Sequence, residues 1–259
     1  MSREHIKTLA KLIRSNCGRR RLDQVFADAV EMMALAISNA VDLLQREQRE
    51  ARYMQIMKDY DEQERKRFPE ILARLVDALE CGPDDVLGQV FGELEQGNSY
   101  RGQFFTPFEV CRLMARMIVE DGEDVRARIR ERGFITVQEP AAGAGAQVIA
   151  MAEALQELGI NYQQHMHVTA IDVDERAAHM AYVQFSLLHI PALVYGGNTI
   201  SMQMREVWRT PAHVMGLWDY KLKRGYALGS EADKSAAASE VIPMPPMPAV
   251  QLELFRASA

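Results

Sequence analysis

The chain has 259 residues, of which 48% are hydrophobic and 25% charged, ordinary proportions for a globular protein with a buried core. Its formal net charge of −6 and pI near 5.6 argue against strong electrostatic binding to nucleic acid by the chain alone, since phosphate contacts need a basic surface. The local basic runs at residues 19–21 and 126–132 are interpreted as solvated surface.

Membrane insertion and secretion are not expected. No apolar run approaches the roughly 20 residues that span a bilayer, and the first residues lack the pattern of a signal peptide. The three cysteines, Cys17, Cys81 and Cys111, have no metal-ligand spacing and cannot all pair with one another. We therefore expect a reducing, cytoplasmic environment and no metal site.

The first hundred residues have the apolar spacing of helices. A wide buried stripe is predicted over 22–44, and the charged stretch 45–66 is expected to continue as exposed helix. Two further buried helices are predicted over 71–79 and 84–94. Residues 1–100 are thus predicted to be a helical region that supports packing or recognition and carries no chemistry.

Strands alternate with helices from residue 134 onward. The pattern predicts strands over 134–138, 166–171 and 192–195, with helices over 146–158 and 174–188. Such alternation indicates a parallel sheet with right-handed crossovers, whose ligands lie across the carboxyl ends of the strands.

Three short segments follow directly after these strands. They are the turn Glu139-Pro140-Ala141-Ala142-Gly143-Ala144-Gly145, the acid Asp172, and the turn Gly196-Gly197-Asn198-Thr199. A glycine turn that opens onto a helix lets backbone approach a ligand closely, and a carboxylate after the next strand can accept ribose hydroxyls. The arrangement predicts a nucleotide-binding βαβ unit with its site at one edge of the sheet.

The motifs GQFFTP (102–107), EPAAGAG (139–145), AIDVD (170–174) and GGNT (196–199) stand in a fixed order. Together they resemble the adenine-specific DNA methyltransferase family, particularly the modification subunits of type I restriction systems. The resemblance begins near Asp85-Val86-Leu87-Gly88 and covers roughly residues 84 to 200. It implies S-adenosylmethionine as cofactor, DNA as substrate and adenine as the methylated base.

The resemblance also implies roles for individual residues. Phe105, Thr106 and Pro107 would surround the methionine end of the cofactor, and Glu139 would face the same end. Gly143 and Gly145 would allow close approach, Asp172 would hold the ribose, and Asn198 would lie near the adenine ring. The alternative is that these turns persist only for their geometry.

One element of the family is missing from the sequence. The enzymes that this chain resembles carry an Asn/Asp-Pro-Pro-aromatic loop that accepts the hydrogens of the adenine amine and stacks on the flipped base. No such tetrapeptide occurs here, and strands four to seven of the usual sheet have no evident counterpart. The fold class expected is α/β, a truncated Rossmann-like methyltransferase core behind an N-terminal helical region, with three parallel strands and at most one more.

Two functions therefore remain open. The chain is either a DNA adenine methyltransferase whose catalytic loop is divergent or comes from a partner subunit, or a methyltransferase-like module that binds cofactor, DNA or a protein without turnover. A purely structural accessory protein is a third, less favoured reading.

The remaining boundaries concern the second half of the chain. We expect the methyltransferase-like core over 101–226 and a flexible tail over 227–259. From Ser230 onward the tail is expected to resist helix and to be disordered or an extended spacer, with its proline-rich part near residues 243–248. After the spacer, Gln251, Leu252, Leu254 and Phe255 resemble a peptide that binds the bacterial sliding clamp. The alternative is a tail that folds back onto the protein itself.

Overall fold

The computed structural model describes residues 2–18, 20–95 and 105–239. The predicted cofactor residues lie within these ranges, whereas residues 102–104 and the clamp-like Gln251, Leu252, Leu254 and Phe255 lie outside them. The helices are α1 (Ser2–Ser15), α2 (Leu22–Asn39), α3 (Arg46–Lys58), α4 (Glu62–Leu79), α5 (Val86–Glu95), α6 (Phe108–Val119), α7 (Glu123–Arg132), α8 (Ala146–Glu157), α9 (Tyr162–His165), α10 (Glu175–Leu187), α11 (Pro211–Met215), α12 (Trp218–Arg224) and α13 (Glu231–Ser239). The strands are β1 (Ile135–Glu139), β2 (Met166–Asp172), β3 (Ala192–Asn198) and β4 (Gln203–Arg209).

The strands form one four-stranded sheet in the order β1-β2-β3-β4. The first three strands are parallel, and β4 pairs antiparallel with β3. The expected α/β class and truncated Rossmann-like core, with three parallel strands and one more, are confirmed for the described part of the chain. The strand β4 itself was not predicted, because Trp208 is its one buried residue and its other positions are polar or half-exposed.

The charged stretch 45–66 is two helices, not the one that was predicted. The Asp61 carboxylate accepts a hydrogen bond from the Glu64 amide (2.9 Å), and the Glu64 carboxylate accepts one from the Asp61 amide (2.9 Å). This reciprocal capping box satisfies amide donors that the start of α4 would otherwise leave unpaired. Residues 59–61 therefore turn the chain between α3 and α4.

One hydrophobic cluster joins the helical region to the sheet. The helix α10 packs against β2 and β3 on one side and against α2 and α5 on the other. It is buried along almost all of its length, so the helical region and the core meet across it. The division at residue 100 remains a prediction.

Two surface segments can be compared with the sequence-based expectation, and one of them differs from it. The basic run 126–132 lies in the exposed helix α7, as expected for solvated surface. Residues 231–239 form the helix α13, which packs against α7, so an extended spacer from Ser230 onward is wrong for these nine positions. Alanine-rich sequence has high helix propensity, and the Asp233–Arg224 ion pair anchors the helix. Among the described residues, no helix is long and apolar enough to cross a membrane.

Candidate cofactor site

The glycine turn is hydrogen-bonded to the carboxyl end of β2. The Ala142 amide donates to the Ile171 carbonyl (2.9 Å), and the Gly143 amide donates to Oδ2 of Asp172 (2.7 Å). Two predicted site residues that are 29 positions apart in the chain are thus in direct contact. The βαβ geometry explains the contact, because parallel neighbours end at the same edge of a sheet.

Packing requires glycine at two positions of this turn. Gly143 has φ +54°, and a Cβ there would lie 2.9 Å from the Phe105 ring. Gly145 has φ +97°, and a Cβ there would lie 2.5 Å from the Phe185 ring of α10. The left-handed backbone and the two rings both exclude a side chain. The glycines therefore serve the fold of the turn whether or not a ligand is bound.

Asp172 is buried, and both of its carboxylate oxygens are held by backbone. While Oδ2 accepts from Gly143, Oδ1 accepts from the Asp174 amide (2.9 Å). An ionised carboxylate has about four acceptor positions, so two amides orient the group and leave capacity for ligand hydroxyls. Asp174 in turn caps α10 by accepting from the Arg176 amide (3.0 Å).

The carboxyl end of β3 lies at the same edge of the sheet as the glycine turn. Asn198 is exposed, and its Oδ1 accepts from the amides of Ile200 (2.9 Å) and Ser201 (3.2 Å). The strand β3 extends to Asn198, so the predicted turn over 196–199 begins later than expected. The Thr199 hydroxyl donates to the Pro140 carbonyl (2.7 Å) and fastens this turn to the glycine turn.

The FTP segment lies beside the glycine turn at the start of α6. Phe105 is half-buried between Gly143 and the Phe91 ring, whose centroid is 5.2 Å away. Thr106 and Pro107 are exposed. Glu139 uses Oε1 to accept from the Ala141 amide (3.1 Å), which shapes the entry to the turn. All eight predicted cofactor residues lie at or beside the carboxyl ends of β1–β3.

A buried polar network beneath the glycine turn was missed from the sequence. Gln184 of α10 donates from Nε2 to Oδ1 of Asp85 (2.9 Å) and to the Ala144 carbonyl (2.8 Å). Its Oε1 accepts from the Leu87 amide (2.9 Å), and Asp85 also accepts from the Gly88 amide (3.0 Å). Burial raises the pKa of Asp85. The signal in the sequence was Asp85 itself, an acid at the start of an apolar helix.

The polar turn after β4 belongs to the opposite end of the sheet. Thr210 accepts from the Ala192 amide (2.9 Å) at the start of β3 and donates to the Ile190 carbonyl (2.8 Å). His213 is buried, and its Nδ1 lies 2.9 Å from Nε2 of His167. This turn therefore cannot reach a base bound at the carboxyl ends. In the described part of the chain, no cluster of His, Cys, Asp or Glu could hold a metal.

The site is open on one side. The described residues place no strand beyond β1, so the sheet ends at the strand that carries the glycine turn. In doubly wound folds, the site for a nucleotide lies where strand order reverses, with strands on both sides of that point. The structure therefore contains one side of such a site and, among its described residues, no strand on the other side.

A three-stranded parallel half-sheet with this turn and acid defines a truncated Rossmann-like core of the methyltransferase class. A family model described as N-6 DNA Methylase matches residues 84–218, more than half of the chain, and the chain belongs to this family. Asp85 and Gly88 of the buried network fall inside the matched range, as do all the cofactor candidates.

Comparison with solved structures gives a distant similarity. The crystal structure of the type I restriction-modification system methyltransferase subunit from Streptococcus thermophilus aligns at a TM-score of 0.36 and 13% identity. The alignment covers 74% of this chain and 57% of that subunit, so the chain spans little more than half of the subunit's length. No curated protein matches the sequence.

Proposed function

We propose that this chain binds S-adenosylmethionine at the carboxyl ends of β1–β3 and takes part in methylation of the exocyclic amine of adenine in DNA. The observation that carries the proposal is the Gly143–Asp172 hydrogen bond, 2.7 Å long, which joins the glycine turn to the acid after β2. The Thr199–Pro140 bond of 2.7 Å adds the end of β3 to the same site. Membership of the N-6 DNA methylase family supports the choice of cofactor and reaction.

The residues suit the groups of this cofactor. Asp172, oriented by two amides, accepts the ribose hydroxyls, and the absence of a side chain at Gly143 lets backbone approach the ligand. Asn198 lies at the adenine end, while Phe105, Thr106, Pro107 and Glu139 lie toward the methionine end. Bound there, the cofactor supplies an activated methyl group.

The isolated chain is proposed to methylate weakly or not at all. A base that reacts must leave the helix, and its edge and its ring then need hydrogen-bonding and stacking partners. The sequence has no Asn/Asp-Pro-Pro-aromatic loop, and no described strand beyond β1 could position a substitute. Methyl transfer would then depend on a partner subunit. In the second candidate function, the chain binds cofactor, DNA or a protein partner without turnover, and the same open edge favours it.

Calorimetric titration with S-adenosylmethionine tests the cofactor site. We expect Asp172→Asn to weaken binding at least tenfold, because an amide loses the charge that strengthens hydrogen bonds from the ribose. Asn still accepts one backbone amide, so the variant should fold, and thermal unfolding verifies this. Asp124→Asn, at an exposed position of α7, is the matched control. Equal affinity of Asp172→Asn and the unchanged chain would refute the ribose role.

Incorporation of tritiated methyl groups into DNA tests the activity separately. We expect the purified chain to give counts near background even when calorimetry shows binding. Robust incorporation into adenine would contradict the proposed dependence on a partner and restore a complete enzyme.

A further inference from the structure

A cavity of about 810 Å³ lies at the amino ends of the parallel strands, opposite the candidate cofactor site. Gly133, His165 and His189 line it, and they stand one to three residues before β1, β2 and β3 begin. Residues of α7, α12 and α13 supply the rest of the lining. Sites for small ligands are typically clefts of about 300–1,000 Å³, so the cavity has the size of a binding site.

The walls of this cavity are fastened to one another. The Ala227 amide donates to the Arg132 carbonyl (2.8 Å), and Nε of Arg132 donates to the Gly225 carbonyl (2.9 Å). These bonds join the segment between α12 and α13 to the end of α7, and α13 itself packs on α7. The buried Trp218 ring anchors the start of α12, because it packs edge-on against Phe134 at 5.2 Å. The cavity is therefore a shaped part of the fold.

The lining reverses the charge of the chain as a whole. It contains four cationic side chains and one carboxylate, namely Arg130, Lys221, Arg224 and Lys234 against Glu231. The whole chain, in contrast, has a formal net charge of −6. A concave surface lined by one sign of charge concentrates the electrostatic field, so this cavity favours an anionic ligand.

Lys221 is a half-buried cation without a carboxylate partner. Its Nζ lies 4.3 Å from the centroid of the Trp218 ring, and in the part of the chain that the structure describes no carboxylate pairs with it. Burial lowers the pKa of Lys221, because the ammonium has lost part of its hydration. Water screens such a group less than a fully exposed one, so an anion placed beside it is attracted more strongly.

Two tyrosine rings stand beside these cations and are held by Arg224. The guanidinium donates to the hydroxyls of Tyr220 (3.2 Å) and Tyr226 (3.1 Å) and to Oδ1 of Asp233 (2.9 Å). It also lies over the Tyr226 ring, 4.5 Å from its centroid. Tyr220 is 56% exposed, so its ring is both oriented and open to a ligand.

We propose that this cavity binds a nucleotide unit, whose phosphate pairs with Lys221 and whose base stacks on Tyr220. A basic groove with aromatic side chains is the combination by which proteins bind single-stranded nucleic acid without reading its sequence. An acidic peptide would match the charges but would bring no base to the tyrosine ring. The site lies at the opposite end of the sheet from Asp172, and the inference does not depend on the proposed function.

Fluorescence anisotropy with a labelled oligothymidylate of about ten nucleotides tests the charge of the site. We expect Lys221→Met, which keeps an apolar side chain against Trp218, to weaken binding and to reduce the slope of log affinity against log salt by about 1. Lys223→Met is the matched control, since Lys223 is exposed on the same helix and does not line the cavity. It should leave both the affinity and the slope unchanged.

The same titration tests the stacking. Tyr220→Leu should weaken binding about tenfold without changing the salt slope, because it removes the ring and no charge. Tyr220→Phe keeps the ring and should bind as the unchanged chain does. Competition identifies the source of the nucleotide: displacement of the probe by adenosine monophosphate assigns the site to free nucleotides, and displacement by unlabelled oligonucleotide alone assigns it to a strand.

Four outcomes would overturn the proposal. The unchanged chain could bind neither probe, or the two lysine variants could have equal affinity, which would assign any binding to another surface or to diffuse charge. Tyr220→Leu could bind as well as the unchanged chain, which would exclude stacking. Polyglutamate could displace the probe as effectively as the oligonucleotide, which would assign the cavity to an acidic partner. Thermal unfolding verifies that each variant folds, and calorimetry with S-adenosylmethionine on the same variants keeps the cofactor proposal separate.

Discussion

The two edges of the sheet are built differently. At the β4 edge, Arg49 from the helical region donates to the Val207 carbonyl (3.0 Å) and stacks over the Trp208 ring at 4.1 Å. Asp42 and Ser38 hold the same guanidinium from α2 and the turn after it. At the β1 edge the described residues supply no comparable cover. The N-terminal helices therefore cover the β4 edge of the sheet, whereas the described residues place no strand on the outer side of β1.

The difference separates a strand end that is supported on all sides from one that is open on its outer side. The end of β2, where Asp172 lies, has strands on both sides and α10 behind it, so this predicted cofactor residue is held in place. The end of β1 is paired with a neighbouring strand on one side only. A well-supported strand end beside an open one is the arrangement expected under the proposal that a partner subunit completes the site.

The largest loss of stability is expected from removing the guanidinium of Arg49, which binds the β4 edge. Arg49→Met should lower the free energy of unfolding by about 3–5 kcal/mol, because it leaves buried Asp42 without its close partner and exposes no new charge. Arg52→Met, on the same helix, removes a half-exposed guanidinium from its pair with Glu31; it is the control and should cost about 1 kcal/mol or less. Urea denaturation measures both. If the two variants were equally stable, the β4 edge would not depend on the helical region.

A second test concerns His167 of β2 and His213 of α11, two buried histidines that are in contact. Burial lowers the pKa of His167 to about 3, and its neighbour His213 has a lowered pKa for the same reason. The unfolded chain binds a proton near pH 6.5, so stability is fully present above that pH and is lost as pH falls from 6.5 toward 3. We expect a loss of about 2–3 kcal/mol by pH 4.5 from His167 alone.

Thermal unfolding across this pH range measures the loss. His167→Gln should flatten the profile, since an amide can still bond to His213 and does not titrate. His5→Gln, on α1, should leave it unchanged. An equally steep profile for His167→Gln would move the acid sensitivity to other groups.

The smallest effect is expected beside the open edge. Arg116 and Glu157 form a bidentate pair at 2.6 and 3.0 Å, yet both side chains are about half exposed. Water and salt screen such a pair, so Arg116→Ala should not change the denaturation midpoint measurably. A clear loss of stability would mean that this flank of α6 is more protected than its exposure indicates.

The sequence alone determined the local parts of this protein. Alternation of β-branched strands and apolar-periodic helices predicted the three parallel strands, because hydrophobic periodicity is a local property. The glycine turn and Asp172 were recognised for the same reason: a tight turn needs glycine within a few residues, and the acid follows its strand directly. The capping box at Asp61 also has a local sequence signature, but the charged residues around it conceal that signature.

Only the tertiary structure decided which distant residues meet and which surfaces stay uncovered. Gln184 reaches Asp85 across 99 positions, and Arg49 reaches Val207 across 158, and neither pairing leaves a periodic trace in the sequence. The strand β4 was missed because its partner β3, more than its own composition, makes it a strand. The open edge of β1 was invisible for a related reason. A strand's own residues do not state whether a neighbour exists, since pairing is made by backbone groups that every residue carries.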